Sequence, residues 1–116
     1  MIYTSVADSG TQPAKQKLIL SSVTLGLEHA GRQLVCNTSN AITITIPAST
    51  FPKFTEIEVY NAGGGDITFA AGSLGVTILT ENENTAPVLS GKGKSACLKL
   101  MSLLGNNTWA IQGAIE

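Results

Sequence analysis

Between Ala41 and Pro47 the chain reads Ile42-Thr43-Ile44-Thr45-Ile46, with apolar and polar residues alternating strictly and a β-branched side chain at every position. A period of two places Ile42, Ile44 and Ile46 on one face and the threonines on the other. Crowding at Cβ disfavours a helix and suits a pleated surface. Pro47 removes the backbone donor that would extend the ladder. The segment is therefore predicted as a strand with one buried face.

The same pattern recurs at short intervals. Glu56 to Asn61 places Ile57 and Val59 inward and Glu56, Glu58 and Tyr60 outward. Ile67 and Phe69 mark a strand, as do Val76 and Ile78, and Ser95 to Met101 sets Ala96, Leu98 and Leu100 on one face. Trp109 and Ile111 close the inward set, and Gln33 to Asn37 adds Leu34. An earlier strand is predicted to begin with Leu18, Leu20 and Val23. Turn signals separate these runs: Gly31, Asn37 to Asn40, Gly63-Gly64-Gly65, Ala71 to Gly75 and Gly105-Asn106-Asn107. No window carries a 3.6-residue apolar period over three turns. The expectation is an all-β chain, a small antiparallel β-sandwich (jelly-roll-like) or barrel with an extended N-terminal arm. Residues 1–16 form the arm and residues 17–116 the single domain.

Composition limits the function classes. The chain has 116 residues, long enough for one core, with 43% hydrophobic and only 13% charged residues. A surface so poor in charge does little to repel neighbours and suits packing against other subunits. Seven Lys and Arg, scattered along a chain of net charge −1, leave no concentrated basic face for nucleic acid. No apolar run has the length of a membrane span. The opening MIYTSVADSG lacks the basic start and apolar stretch of a signal peptide, so synthesis and folding in a cytoplasm are expected.

Candidate chemistry reads as structure. His29, the only histidine, stands in a predicted turn beside Glu28 and is expected to be exposed. The segment Gly91-Lys92-Gly93-Lys94-Ser95 resembles the end of a phosphate-binding loop. Yet Val88 stands where that motif needs glycine, and a strand rather than a helix follows. Glu56 and Glu58 share a strand face, as a glycosidase pair would, but the aromatics that bind sugar are few, and a solvated face is expected. Asp66 is alone in its turn, too sparse for calcium. Asn37-Thr38-Ser39 and Asn106-Asn107-Thr108 match a glycosylation pattern and are read as turns. Cys36 and Cys97 are expected to be buried free thiols, with no zinc-type spacing. No enzyme activity, cofactor or metal is expected.

Several segments together resemble a known class. They are Ala41 to Pro47 (AITITIP), Thr55 to Gly65 (TEIEVYNAGGG), Ile67 to Ser73 (ITFAAGS), Gly75 to Ile78 (GVTI) and Asn106 to Gly113 (NNTWAIQG). Across Leu27 to Ile115 the chain resembles a β-rich structural module of tailed-bacteriophage virion proteins, of the head-decoration (cement) or tail-fibre type. The resemblance implies a virion structural role and carries over no catalytic residue. The expected function is a capsid decoration protein on the outer shell that bridges major-capsid subunits. The alternatives are a tail, neck or fibre-base subunit, and a carbohydrate-binding module for host attachment. The expected partners are the major capsid protein or other virion proteins and further copies of the chain, as a trimer or a dimer. Met1, Ile2, Tyr3 and Val6, the apolar groups of the arm, are the candidate partner-binding residues, and an edge strand formed by Ile2 to Val6 is the alternative.

Overall fold

The alternating runs become ten short strands in the computed structural model, which describes residues 15–116. The arm residues Met1, Ile2, Tyr3 and Val6 lie outside the described residues. The strands are β1 (Gln16–Ile19), β2 (Val23–Thr24), β3 (Gln33–Cys36), β4 (Ile42–Ile46) and β5 (Glu56–Asn61). They continue as β6 (Ile67–Ala71), β7 (Thr77–Leu79), β8 (Val88–Leu89), β9 (Ser95–Leu100) and β10 (Thr108–Gly113). A single 3-10 turn, Leu27–His29, is the one helical element among the described residues. Gln16, placed by the sequence at the end of the arm, is the first residue of the first sheet.

Two mixed sheets result. The first has the order β1-β3-β5-β9-β10-β7 and the second β2-β4-β6-β8. From β1 to β6 the chain alternates between them, so each odd strand joins the first sheet and each even strand the second. Every new strand lies parallel to the one laid down a rung earlier: β1, β3 and β5 in one sheet, β2, β4 and β6 in the other. Three rungs of a coil are built this way, each resting on its neighbours as in a solenoid. The last strands close it. β8 and β9 run antiparallel to β6 and β5, β10 pairs antiparallel with β9, and β7 lies parallel along the far side of β10.

This corrects the expectation of antiparallel sheets, since five of the eight strand pairings are parallel. Short Gly- and Asn-rich connections normally signal hairpins between neighbouring strands. Here the connections from β1 through to β9 each carry the chain across to the other sheet, so the parallel crossover runs through a strand instead of a helix, and the β9–β10 turn is the one hairpin among the described residues.

The inward set predicted from alternation is buried throughout, from Leu34 and the isoleucines of β4 to Trp109 and Ile111. Ile19, Leu25, Cys36 and Leu89 join it in one apolar cluster fed by both sheets. Leu18 and Leu20, named as the start of the first strand, are exposed, and Ile19 is the inward residue. Trp109 is the largest buried side chain. Phe51 meets it edge-on, with ring centroids 5.3 Å apart and planes at 83°. A buried indole N–H usually finds a hydrogen-bond partner; that of Trp109 has none among the described residues.

Asn61 organises the tight corner of the third rung. It is completely buried at the end of β5. Its Nδ2 donates to the Gly65 carbonyl at 2.9 Å and the Leu89 carbonyl at 3.2 Å, and its Oδ1 accepts from the Gly64 N–H at 2.8 Å. The side chain thus closes its own turn and ties it to β8. The glycine run is needed because this corner sits directly on the corner of the rung below. A Cβ on Gly63 or Gly65 would collide with the backbone of Thr38 or Asn40, and Gly64 has φ +88°.

Candidate interaction surface

The groups that most resembled chemistry are separated by the fold. His29 is buried, contrary to the exposed turn residue expected. The 3-10 turn folds its ring back so that Nδ1 accepts the Gly26 N–H at 2.9 Å. Burial pushes its pKa below the ordinary value, against an opposing pull from Glu28. The imidazole acts as a cap for the chain entering β3.

Glu56 and Glu58 stand on the exposed face of β5, as read from the sequence. There Glu58 ends a ladder of stacked amides: Gln16 Nε2 donates to Gln33 Oε1 at 2.7 Å, and Gln33 Nε2 donates to Glu58 Oε1 at 3.2 Å. Glu56 lies opposite Lys99 of β9. Asp66 accepts from the Ser90 hydroxyl at 2.7 Å, which latches two turns together. The Gly91–Ser95 segment runs straight into β9, with Gly91 and Gly93 at positive φ.

Cys36 and Cys97 are both free. Cys36 faces the core, and burial lifts its pKa to about 11. Cys97 is only half-buried, which corrects the reading of two equivalent interior thiols. It lies on the outer face, flanked in register by Glu58 and Gln112, and burial with the Glu56 charge raises its pKa. Thiols on opposite faces of one sheet cannot meet.

Exposed apolar side chains collect along one side of the coil, where the chain passes from the second sheet to the first. Three loops meet there: residues 47–55 between β4 and β5, 72–76 between β6 and β7, and 101–107 between β9 and β10. They are bound into one rim. Ser102 Oγ accepts the Phe54 N–H at 2.9 Å, and Asn107 Oδ1 accepts the Ser49 N–H at 2.7 Å. The Asn107 carbonyl accepts the Thr77 N–H at 2.9 Å. On this fixed base Leu74 and Leu103 stand almost entirely in solvent, and Phe54 and Leu104 about two-thirds so. Phe54 holds φ +64°, an uncommon conformation for a bulky residue, which its bond to Ser102 helps maintain. Lys53 is the one charged residue in the three loops. A rim of exposed apolar side chains gathered in this way is uncommon on a folded domain. Alternation could not have revealed it, because its residues lie in three loops far apart in sequence.

A concavity of about 510 Å³ lies where β7 ends alongside β10, lined by Leu79, Thr80, Glu81, Asn82 and Gln112 among others. Glu81 is its one titratable lining group. No three His, Cys, Asp or Glu side chains gather in a metal-binding group among the described residues, and no helix among them is long and apolar enough to cross a membrane. No family model and no curated protein matches the chain.

Proposed function

We propose that the chain is a structural subunit of a bacteriophage particle, a capsid decoration protein that binds the outer shell and bridges major-capsid subunits. The apolar rim carries this reading. Phe54, Leu74, Leu103 and Leu104 are held on hydrogen-bonded loops with almost no charge, so their burial against a protein surface costs little ordering entropy and no ion desolvation. The charge-poor exterior and the resemblance of Leu27 to Ile115 to virion modules point the same way. We take the two sheets to be the layers of a small sandwich, because their inward residues meet in one cluster. The protein acts without catalysis: a ligand that binds only the assembled lattice stabilises it by mass action. Copies associate with one another, as a trimer before a dimer, through outward apolar groups such as Leu79 and Met101. Trp109, the one tryptophan, is interior and offers no stacking platform for a sugar.

The test adds purified protein to shells of the parent particle assembled without it. Saturable co-sedimentation with the shells, a raised shell melting temperature, and loss of both in the double variant Leu103→Asp, Leu104→Asp support the proposal. Co-sedimentation with tails but not with shells overturns the head assignment in favour of a tail or neck subunit.

A further inference from the structure

The coil has an open end. β1 and β2 form its first rung, and each is the edge strand of its sheet. The two edges differ. In the first sheet Lys17 shares the inward face of β1 with Ile19; it is exposed and in register with the fully buried Leu34. A charged side chain at an inward edge position blocks further strand addition. The second sheet has no such stop. Val23 is only half-buried, whereas its register partners on the next two rungs, Ile44 and Phe69, are completely buried. Leu25 turns its N–H toward β4, bonding Thr45 O at 2.9 Å, so alternation points the N–H and C=O of Thr24 toward the open edge. Among the described residues, the second sheet is therefore open to a further parallel strand at this end.

We propose that this edge is a docking site for the chain's own segment Ile2–Val6, laid parallel to β2 as the missing half-rung. Its sequence, Ile2-Tyr3-Thr4-Ser5-Val6, sets Ile2, Thr4 and Val6 on one face of a strand and Tyr3 and Ser5 on the other. All three residues of the first face are β-branched, as at every position of β4, and that face is the one assigned inward. The length of chain decides in favour of this occupant. The connections that lead from the second sheet back to the first are residues 25–32 and 47–55, eight and nine residues long. Residues 7–15, between Val6 and β1, number nine. A strand at Ile2–Val6 thus stands one ordinary connection before β1, and setting its β-branched face inward with the segment centred on β2 pairs Thr4 with Val23 and Ser5 with Thr24. This inference concerns how the fold begins and is independent of the capsid reading.

Two measurements on the full-length protein test it. The first is hydrogen exchange. The Thr24 amide should exchange at least tenfold more slowly in the intact chain than in the Thr4→Pro variant, which lacks a ladder donor. Equal rates would overturn the proposal. The second is a cysteine pair, Ser5→Cys with Thr24→Cys, in a Cys97→Ser background. Adjacent strands lie close enough for a disulfide. A disulfide within one chain on mild oxidation supports own-chain docking. A disulfide-linked dimer shows that the segment of a second copy fills the edge and overturns it, as does no disulfide at all.

Discussion

Replacing Asn61 with aspartate leaves the shape of the side chain almost unchanged, so no cavity forms, but it removes both Nδ2 donors. The Gly65 and Leu89 carbonyls, which they serve at 2.9 and 3.2 Å, belong to buried residues and have no water to turn to. An unpaired buried polar group costs roughly 1–3 kcal/mol. The Leu89 carbonyl keeps its ladder partner Ile67 in β6, so the Gly65 carbonyl is the one left without a donor, and with a buried carboxylate now facing two carbonyl oxygens the loss is about 3 kcal/mol or more at neutral pH. That is a large share of the roughly 5–15 kcal/mol that holds a domain together. The Gly64 N–H keeps its acceptor and mitigates little. Urea unfolding followed by the fluorescence of buried Trp109 measures the difference directly. The loss should shrink in acid. Burial raises the folded pKa of the introduced carboxyl above its unfolded value of about 3.9, so between the two the folded state binds more protons and stability rises as pH falls. Protonation also restores one donor. Comparing variant with wild type at each pH cancels every other titration. A loss below about 1 kcal/mol at pH 7, the low end of the cost of one unpaired group, or a loss that grows as the pH is lowered, would refute the assignment of Asn61 as the corner's organiser.

Three further outcomes follow from the same geometry. Trp109→Ala should cost about 3–5 kcal/mol, read from urea or thermal midpoints, because the ring is fully buried and Phe51 loses its edge contact. His29 has a folded pKa below its unfolded value of about 6.5, so the unfolded state binds the extra proton first. Its contribution is complete above that pH, falls as pH drops toward the folded pKa, and levels off below it; urea midpoints at several pH values should lose this dependence in His29→Asn. Native thiol labelling at mildly alkaline pH should modify Cys97 far faster than Cys36, whose thiol is buried with a pKa of about 11, and denaturation should equalise them.

Which side chains face inward was legible in the sequence. Alternation on a strand is a local property, since consecutive Cβ atoms point to opposite faces whatever the strand pairs with. The residues read this way, Leu34 through Ile111, are therefore all in the core. The limits of the strands were readable for similar reasons, as at Pro47 and in the Gly63–Gly65 run. Partner choice was not local. A connection of a few Gly and Asn residues serves equally to fold a strand back on its neighbour or to carry it to an opposing sheet, and only the packing of both sheets on one cluster selected the parallel coil. The same holds for the polar interior. Asn61 read as the polar end of a strand and His29 as a turn residue. Both became buried organisers because backbone groups brought from other segments, or from the chain just before, satisfied their hydrogen bonds. The apolar rim is likewise tertiary in origin: Phe54, Leu74 and Leu103 are each unremarkable in sequence and form a surface because Ser102 and Asn107 bind their loops together.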